Sequence, residues 1–197
     1  MNMQKVVYII PGFKENSNAK IYKEIGKSFE AIGIKPIFTH INWRAKNNLM
    51  QDYLKQFIKV FNKTNVKDSE VYLFGFSAGA WIAFMASLDI NPKKVFLCSF
   101  SPFFKEDMKF WSKYWISSVG KKRFNDFRNH RFNYIIKRFK SKVIFFVGTD
   151  EDPNGIMIRR SKIAHRLIKN SRLVIIPGGT HNIRQKEYLE TVKRYIK

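Results

Sequence analysis

Short apolar runs alternate with helical patterns along most of this chain. Each run is near-continuously apolar and rich in β-branched and aromatic residues, which is typical of strands buried on both faces. The runs cover residues 6–10, 36–41, 71–75, 95–98, 143–147 and 173–176. Strands that alternate with helices predict an α/β protein whose parallel sheet is covered on both faces by right-handed crossovers.

The segments between these runs have helical spacing. Ile21, Ile25 and Phe29, for example, recur at intervals of four residues, which predicts one apolar helix face. Residues 78–88 are almost wholly apolar, so the helix that they predict should be buried. The remaining helices are predicted over residues 18–32 and 49–61, around residues 163–168, and over residues 188–196.

One stretch, residues 102–142, breaks the alternation because it is too long for a simple crossover. It contains 11 aromatic residues, 12 lysines and arginines, and 3 acidic residues. We interpret it as a helical flap inserted over one end of the sheet, within a single domain that spans residues 1–197. Most of its aromatic side chains are expected to pack the flap onto the body of the domain.

The chain carries a formal net charge of +22. Such a charge is typical of a protein that binds a polyanionic partner: nucleic acid, an anionic membrane surface or an acidic substrate. The alternative is drift in composition, and the excess of 26 lysines over 11 arginines favours it, because recognition surfaces tend to use the planar fork of arginine. The charge alone therefore assigns no partner.

The cysteine content and the hydropathy of the chain indicate in which cellular compartment the protein is expected. Cys98 is the single cysteine, so no intrachain disulfide can form, which favours a reducing cytoplasm. No stretch approaches 18 uninterrupted apolar residues, so no transmembrane helix is predicted. The apolar run at residues 6–10 is too short for a signal peptide and lacks a small-residue cleavage site.

A serine stands where the third apolar run meets the buried helix, in Gly75-Phe76-Ser77-Ala78-Gly79. A strand that turns sharply into a helix makes its pivot side chain project at the carboxyl end of the sheet. Strand and helix then pass so closely that a Cβ two residues on either side of the pivot would clash. Ser77 is therefore predicted to be a nucleophile, and the alternative is a glycine-rich turn without chemistry.

A serine nucleophile needs a general base, and the chain has four histidines. His40, His130 and His165 fit surface or helix-packing roles. His181 differs because it follows the last strand in a loop that contains Gly178 and Gly179. Such a loop can bring the imidazole over the serine, so His181 is the predicted base.

The carboxylate that orients the base should follow the fifth run, where Gly148 precedes three consecutive acidic residues. The position three residues after Gly148 is the simplest choice by spacing, and it favours Glu151. The Asp-Pro dipeptide and the general use of aspartate favour Asp152, and Asp150 lies nearest the strand end. We prefer Asp152, with Glu151 as the second choice.

Two backbone N–H groups are candidates for an oxyanion hole. Ala78 directly follows the proposed nucleophile and opens the buried helix. Phe13 follows Pro11-Gly12 at the end of the first run, where Gly12 permits a tight turn. Taken alone, Pro11-Gly12 is also typical of an ordinary turn.

In these motifs the chain resembles the α/β-hydrolase superfamily over nearly its whole length. The order serine, acid, histidine is the order of that fold. Two features depart from the usual pattern: the chain is short enough to lack the antiparallel strands that usually open the fold, and it has Pro11-Gly12 where many members have His-Gly. The motifs that carry the resemblance are residues 11–13, 75–79, 148–153 and 179–181.

The resemblance implies a three-layer α/β/α sandwich with a six-stranded, mostly parallel sheet in the order 2-1-3-4-5-6. It also implies a serine hydrolase that acts on small acyl compounds such as esters or thioesters, without a metal or an organic cofactor. The aromatic flap suggests an apolar acyl pocket, hence a carboxylesterase or thioesterase. The alternative hypothesis is a catalytically silent scaffold whose basic, aromatic flap binds RNA or an anionic membrane.

Overall fold

One parallel sheet forms the centre of the protein in a computed structural model that describes residues 3–44, 49–64 and 69–197. Its strand order is β2-β1-β3-β4-β5-β6, and every neighbouring pair is parallel, which confirms the predicted topology. The strands are β1 (Gln4–Ile10), β2 (Lys35–Phe38), β3 (Ser69–Phe76), β4 (Lys94–Cys98), β5 (Lys142–Asp150) and β6 (Ser171–Thr180).

Helices cover both faces of the sheet, as predicted. The helices are α1 (Lys20–Glu30), α2 (Met50–Lys63), α3 (Ala78–Ile90), α4 (Lys113–Val119), α5 (Lys121–Asp126), α6 (Phe132–Ile135), α7 (Ile156–Leu167) and α8 (Lys186–Ile196). None of the helices within the described ranges is both long and apolar enough to cross a bilayer.

The two faces of the sheet bury separate apolar clusters. Alternate residues of β1 enter them, because successive side chains on a strand point to opposite faces. Tyr8 joins the cluster beneath α2, α3 and α7, whereas Val7 and Ile9 join the cluster beneath α1 and α8. Burial on both sides explains why the strands are continuously apolar in the sequence.

The largest differences from the predicted strands lie at the carboxyl ends of three of them. β2 ends at Phe38 and not at residue 41, while β5 and β6 continue to Asp150 and Thr180. The extension depends on a pair of glycines that apposes the two backbones: a Cβ on Gly148 would lie 2.0 Å from the carbonyl oxygen of Gly179. The glycine-rich segment before His181 is therefore strand and not loop.

The flap, residues 102–142, consists of α4, α5, α6 and short 3-10 turns. Its aromatic residues mostly face inwards: Phe132 and Phe139 stack on Phe84 of α3, with ring centroids 5.7 and 5.1 Å apart. Tyr114 and Tyr134 are the exposed aromatic residues of the flap, at 75% and 65%. The prediction that flap aromatics pack onto the body is confirmed, and the division into one domain with an insertion stays a prediction.

A buried ion pair ties the flap to α7. The Arg160 Nε and Nη2 donate to the two carboxylate oxygens of Asp107, at 2.8 and 2.5 Å, and both side chains are 2% exposed. The Arg160 guanidinium also lies 4.3 Å from the ring centroid of Phe132. Removal of either partner would leave a buried charge without its counterion.

We expect Asp107→Ala to lower the free energy of unfolding by about 3–5 kcal/mol, because Arg160 would then be buried and unpaired. Chemical denaturation followed by circular dichroism measures the loss. The double variant Asp107→Ala/Arg160→Met is the control, and it should recover part of the stability. A loss of less than about 1 kcal/mol in the single variant would contradict this account of the pair.

Candidate active site

Ser77 occupies a sharp turn between β3 and α3. Its φ of 55° and ψ of −120° lie outside the conformations that serine ordinarily adopts. The turn is held from both sides, because the Ser77 N–H donates to the Cys98 carbonyl at 2.9 Å and the Ala80 N–H donates to the Ser77 carbonyl at 2.9 Å. The surrounding hydrogen bonds therefore maintain a strained backbone at this one residue.

The glycines on either side of Ser77 permit this turn. A Cβ on Gly75 would lie 2.3 Å from the carbonyl oxygen of Gly79, and a Cβ on Gly79 would lie 2.3 Å from the carbonyl oxygen of Ile10. Both contacts are with backbone atoms, which cannot move aside. The close approach predicted from the Gly-x-Ser-x-Gly spacing is present in the structure.

Three side chains from the carboxyl ends of β3, β5 and β6 form a continuous hydrogen-bonded chain. The His181 Nε2 lies 2.9 Å from the Ser77 Oγ. The His181 Nδ1 lies 3.2 Å from the Glu151 Oε2. The Glu151 side chain is 1% exposed and that of His181 is 20% exposed. The arrangement allows the imidazole to accept the serine proton while the buried carboxylate orients the ring and stabilises its cationic form.

The acid that contacts the imidazole is Glu151 and not Asp152, which we preferred from the sequence. The carboxylate of Asp152 accepts the N–H groups of Ile156 and Met157, at 2.9 and 3.0 Å, so it caps the start of α7. Asp150 is exposed at the end of β5. The N-cap residue of α7 is Gly155, and Asp152 lies three residues before it. Its hydrogen bonds to the first two N–H groups of the helix explain why its carboxylate is turned away from His181.

Ser99, which the sequence analysis did not single out, and Gly148 hold Glu151 in place. Its Oε1 accepts the Ser99 Oγ–H at 2.8 Å and the Gly148 N–H at 2.7 Å. The Ser99 Oγ lies 2.9 Å from the Tyr188 hydroxyl. Burial, and next the charge of Glu151, raise the pKa of Tyr188 well above its ordinary value, so the phenol remains protonated.

A sequence signal for Ser99 was available. Ser99 directly follows the fourth apolar run, just as Ser77 follows the third. In the structure its φ is also positive, at 53°. A polar residue at a strand's carboxyl end in a parallel sheet points towards the ligand-binding edge. Tyr188 had no comparable signal, because its place in the α8 pattern is that of an ordinary core residue.

The other three histidines lie outside this cluster. His40 and His165 are exposed. His130 packs against Trp81 and faces Asp126 at 3.4 Å, and burial lowers the pKa of its imidazole. These positions agree with the surface and packing roles inferred from the sequence.

The loop after β1 brings the predicted oxyanion donor Phe13 to the same edge of the sheet. Within the described residues, neither the Phe13 N–H nor the Ala78 N–H donates to a protein acceptor. The Gly12 N–H donates to the Tyr22 hydroxyl at 2.9 Å. Burial and the nearby Glu15 raise the pKa of Tyr22, so the hydroxyl that anchors this loop stays neutral.

The tight turn predicted at Gly12 is present, because the Gly12 carbonyl accepts the Glu15 N–H at 3.0 Å. The residue of this loop with a positive φ is Lys14, at 64°. Gly12 is needed for space, because a Cβ there would lie 2.9 Å from both the Phe76 ring and the Glu15 carboxylate. The glycine therefore lets the loop pack closely against the residue that precedes the serine.

A cavity of about 200 Å³ opens beside Ser77 and His181. The flap supplies much of its wall, and Trp115 meets the His181 ring edge-on with centroids 5.8 Å apart. Most of the lining is apolar. The apolar residues are Phe13, Met50, Phe76, Phe103, Trp111, Trp115, Val119 and Met157.

No group of three or more metal-ligating side chains that could hold an ion occurs in the part of the chain that the structure describes. The expectation that the protein uses no metal or organic cofactor stays a prediction. The hydrogen-bonded chain of serine, histidine and glutamate is assembled from ordinary side chains at the sheet edge where open α/β sheets bind ligands.

The fold is that of the α/β-hydrolases. No family model and no curated protein matches the sequence, but many solved structures do match the fold. Est1E from Butyrivibrio proteoclasticus, solved with ferulic acid, has a TM-score of 0.81 at 16% identity, covering 99% of this chain and 92% of its own.

Two other solved structures have the same fold. A lipase-esterase related protein from Clostridium acetobutylicum has a TM-score of 0.70 at 17% identity, covering 98% of this chain and 94% of its own. An esterase from Exiguobacterium antarcticum has a TM-score of 0.70 at 14% identity, covering 100% of this chain and 92% of its own. At such low identities the TM-scores establish the fold alone. It is the fold that the sequence motifs predicted.

Proposed function

We propose that this protein is a serine hydrolase that cleaves an ester or thioester of a small acyl group through an acyl-enzyme intermediate. The observation that carries the proposal is the unbroken chain of hydrogen bonds from Ser77 through His181 to the buried Glu151. It is supported by the apolar cavity into which the serine opens. The names of the structural neighbours, which include esterases and hydrolases, agree with it.

In the proposed acylation step, the Ser77 Oγ attacks the acyl carbonyl carbon while its proton passes to the His181 Nε2. The resulting imidazolium is stabilised by the Glu151 carboxylate, and the same proton is then given to the departing alcohol or thiol. In deacylation, His181 removes a proton from water, which attacks the acyl carbonyl and releases the acid. Ser77 recovers its proton from the imidazolium.

The negative charge that develops on the carbonyl oxygen requires N–H donors. The Ala78 and Phe13 amides are proposed for this role, because both lie beside the serine turn and donate to no protein acceptor among the described residues. The position of Ala78 at the N-terminus of α3 adds the favourable end of the helix dipole. Each donor would contribute about 3 kcal/mol to the stabilisation of the transition state.

The rival hypothesis of a silent scaffold that binds RNA or an anionic membrane is weakened by the flap. Base stacking or membrane insertion needs exposed aromatic side chains, whereas the flap exposes Tyr114 and Tyr134 and turns its other aromatic residues inwards. A scaffold without activity would also have no need of a strained serine that is hydrogen-bonded to a histidine.

A fluorophosphonate probe tests the proposal directly, because it reacts covalently with activated serines. We expect the folded protein to be labelled and Ser77→Ala to abolish the label. Ser117→Ala, which alters an exposed flap serine, is the matched control and should be labelled like the unmodified protein. Folded protein that resists the probe, or a label that persists in Ser77→Ala, would refute the assignment.

A further inference from the structure

A single cation enters the otherwise apolar part of the cavity. Arg123, in α5, lines the same cavity as Ser77 and His181. Its guanidinium carbon lies 5.4 Å from the ring centroid of Phe13 and 5.5 Å from that of Tyr53. The flap therefore holds a positive charge between two aromatic rings beside the proposed oxyanion loop.

The hydrogen bonds of Arg123 leave most of its donors unused. The Nη1 donates to the Val119 carbonyl at 3.1 Å, and the Nη2 donates to the Tyr53 hydroxyl at 2.7 Å. A guanidinium has five N–H donors, so three remain. The Nε is among the buried side-chain nitrogens for which no partner exists within the described residues. A buried donor without an acceptor is costly.

No carboxylate of the described residues forms an ion pair with Arg123. The one acidic residue in the cavity lining is Glu15, and its charge is already balanced by Arg184, whose Nη1 lies 2.6 Å from the Glu15 Oε1. Glu15 also accepts hydrogen bonds from the Tyr22 hydroxyl and the Gly12 N–H. The cavity therefore presents one cation whose charge no described protein group neutralises.

We propose that Arg123 binds a carboxylate on the substrate, so that the natural ester or thioester carries an anionic group in addition to its scissile bond. This inference deepens the proposed hydrolase function and rests on it. A planar guanidinium with free N–H donors suits a carboxylate, and the surrounding aromatic walls strengthen the interaction by excluding water. The predicted substrate class is half-esters of dicarboxylic acids or acyl esters of hydroxy acids.

A purely structural role for Arg123 is the competing explanation, since it also links the flap to Tyr53 of α2. The two roles differ in a measurable way. Loss of a structural contact weakens the binding of charged and neutral ligands alike, whereas loss of a carboxylate partner removes only the preference for the charged ligand. The ratio of two affinities, measured on one variant, separates them.

Binding is tested first on Ser77→Ala, so that the result does not depend on catalysis. The ligands are adipamate, glutaramate and succinamate, each paired with the neutral diamide of the same shape. Quenching of tryptophan fluorescence reports binding, because Trp111 and Trp115 line the cavity. We expect the best carboxylate to bind about 10- to 100-fold more tightly than its diamide, as a charge-assisted contact provides.

Two charge-matched variants complete this experiment. Arg123→Met, added to Ser77→Ala, should abolish the preference for the carboxylate. Arg128→Met removes the same charge from an exposed site on the same flap and should keep the preference, which excludes a general effect of the protein's positive charge. Equal affinities for carboxylate and diamide, no binding of any carboxylate at millimolar concentration, or a preference that survives Arg123→Met would overturn the proposal.

Hydrolysis then distinguishes the side of the ester on which the carboxylate lies. 4-Nitrophenyl hydrogen adipate, compared with its terminal amide, tests the acyl side, and 4-acetoxybutanoate, compared with 4-acetoxybutanamide, tests the alcohol side. A value of kcat/KM that is about 10-fold or more higher for the acid than for its amide, in either pair, supports the proposal. Equal values of kcat/KM for acid and amide in both pairs would refute it. If fluorophosphonate fails to label Ser77 while the Arg123-dependent binding persists, the hydrolase function fails and the anion site stands.

Discussion

His181→Ala is expected to lower kcat for 4-nitrophenyl acetate by about 10⁶-fold, the largest single loss that we predict. Without the imidazole, the Ser77 hydroxyl has no base within hydrogen-bonding distance, since its one described side-chain partner is the His181 Nε2 at 2.9 Å. The remaining activity would come from the oxyanion donors and from binding in the cavity. Steady-state kinetics on purified protein measures the effect.

The double variant makes this prediction more specific. Because serine and histidine act as one unit, Ser77→Ala/His181→Ala should be no slower than either single variant. His165→Ala replaces an exposed histidine on α7 and serves as the control, with kcat unchanged. Full additivity of the two losses, or a fall of less than about 100-fold in His181→Ala, would argue against a shared proton transfer.

Glu151→Gln is expected to reduce kcat by about 10⁴-fold, because it would favour the His181 tautomer that carries its proton on Nε2. The Oε1 accepts from both Ser99 and Gly148, so the amide oxygen of a glutamine would take that place. Its NH₂ group would then donate to the His181 Nδ1 and leave the proton on Nε2. That nitrogen faces Ser77 and could no longer accept the serine proton.

Asp152→Asn is the matched control, because it makes the same acid-to-amide change at the neighbouring residue. The side-chain oxygen of asparagine can still accept the Ile156 N–H, so α7 should keep its N-terminus and kcat should change by less than about threefold. ¹⁵N chemical shifts of His181 should reveal the tautomer change in Glu151→Gln and its absence in Asp152→Asn. A larger loss of kcat in Asp152→Asn than in Glu151→Gln would reverse the assignment of the acid.

The pattern of apolar residues was sufficient to predict the sheet and its covering helices. Residues 95–98 of β4 are continuously apolar because both faces of the strand are buried, and residues 78–86 of α3 are apolar around the helix because nearly all of them are buried. The strand order came from the resemblance carried by the serine and histidine motifs. The continuation of β5 and β6 was missed, because it depends on the contact between Gly148 and Gly179, which are distant in sequence.

The sequence by itself predicted that Ser77 and His181 meet at the edge of the sheet, because each stands at a strand end next to glycines that only a close backbone approach requires. It did not determine which carboxylate contacts the imidazole, since local sequence arguments favour each of the consecutive residues Asp150, Glu151 and Asp152 about equally. Only the tertiary structure decided in favour of Glu151: the N-terminus of α7 engages Asp152, while Ser99, from another strand, and Gly148 hold Glu151 against the ring. Only the tertiary structure shows that Arg123 has no counterion among the described residues, because this depends on which side chains surround it in space.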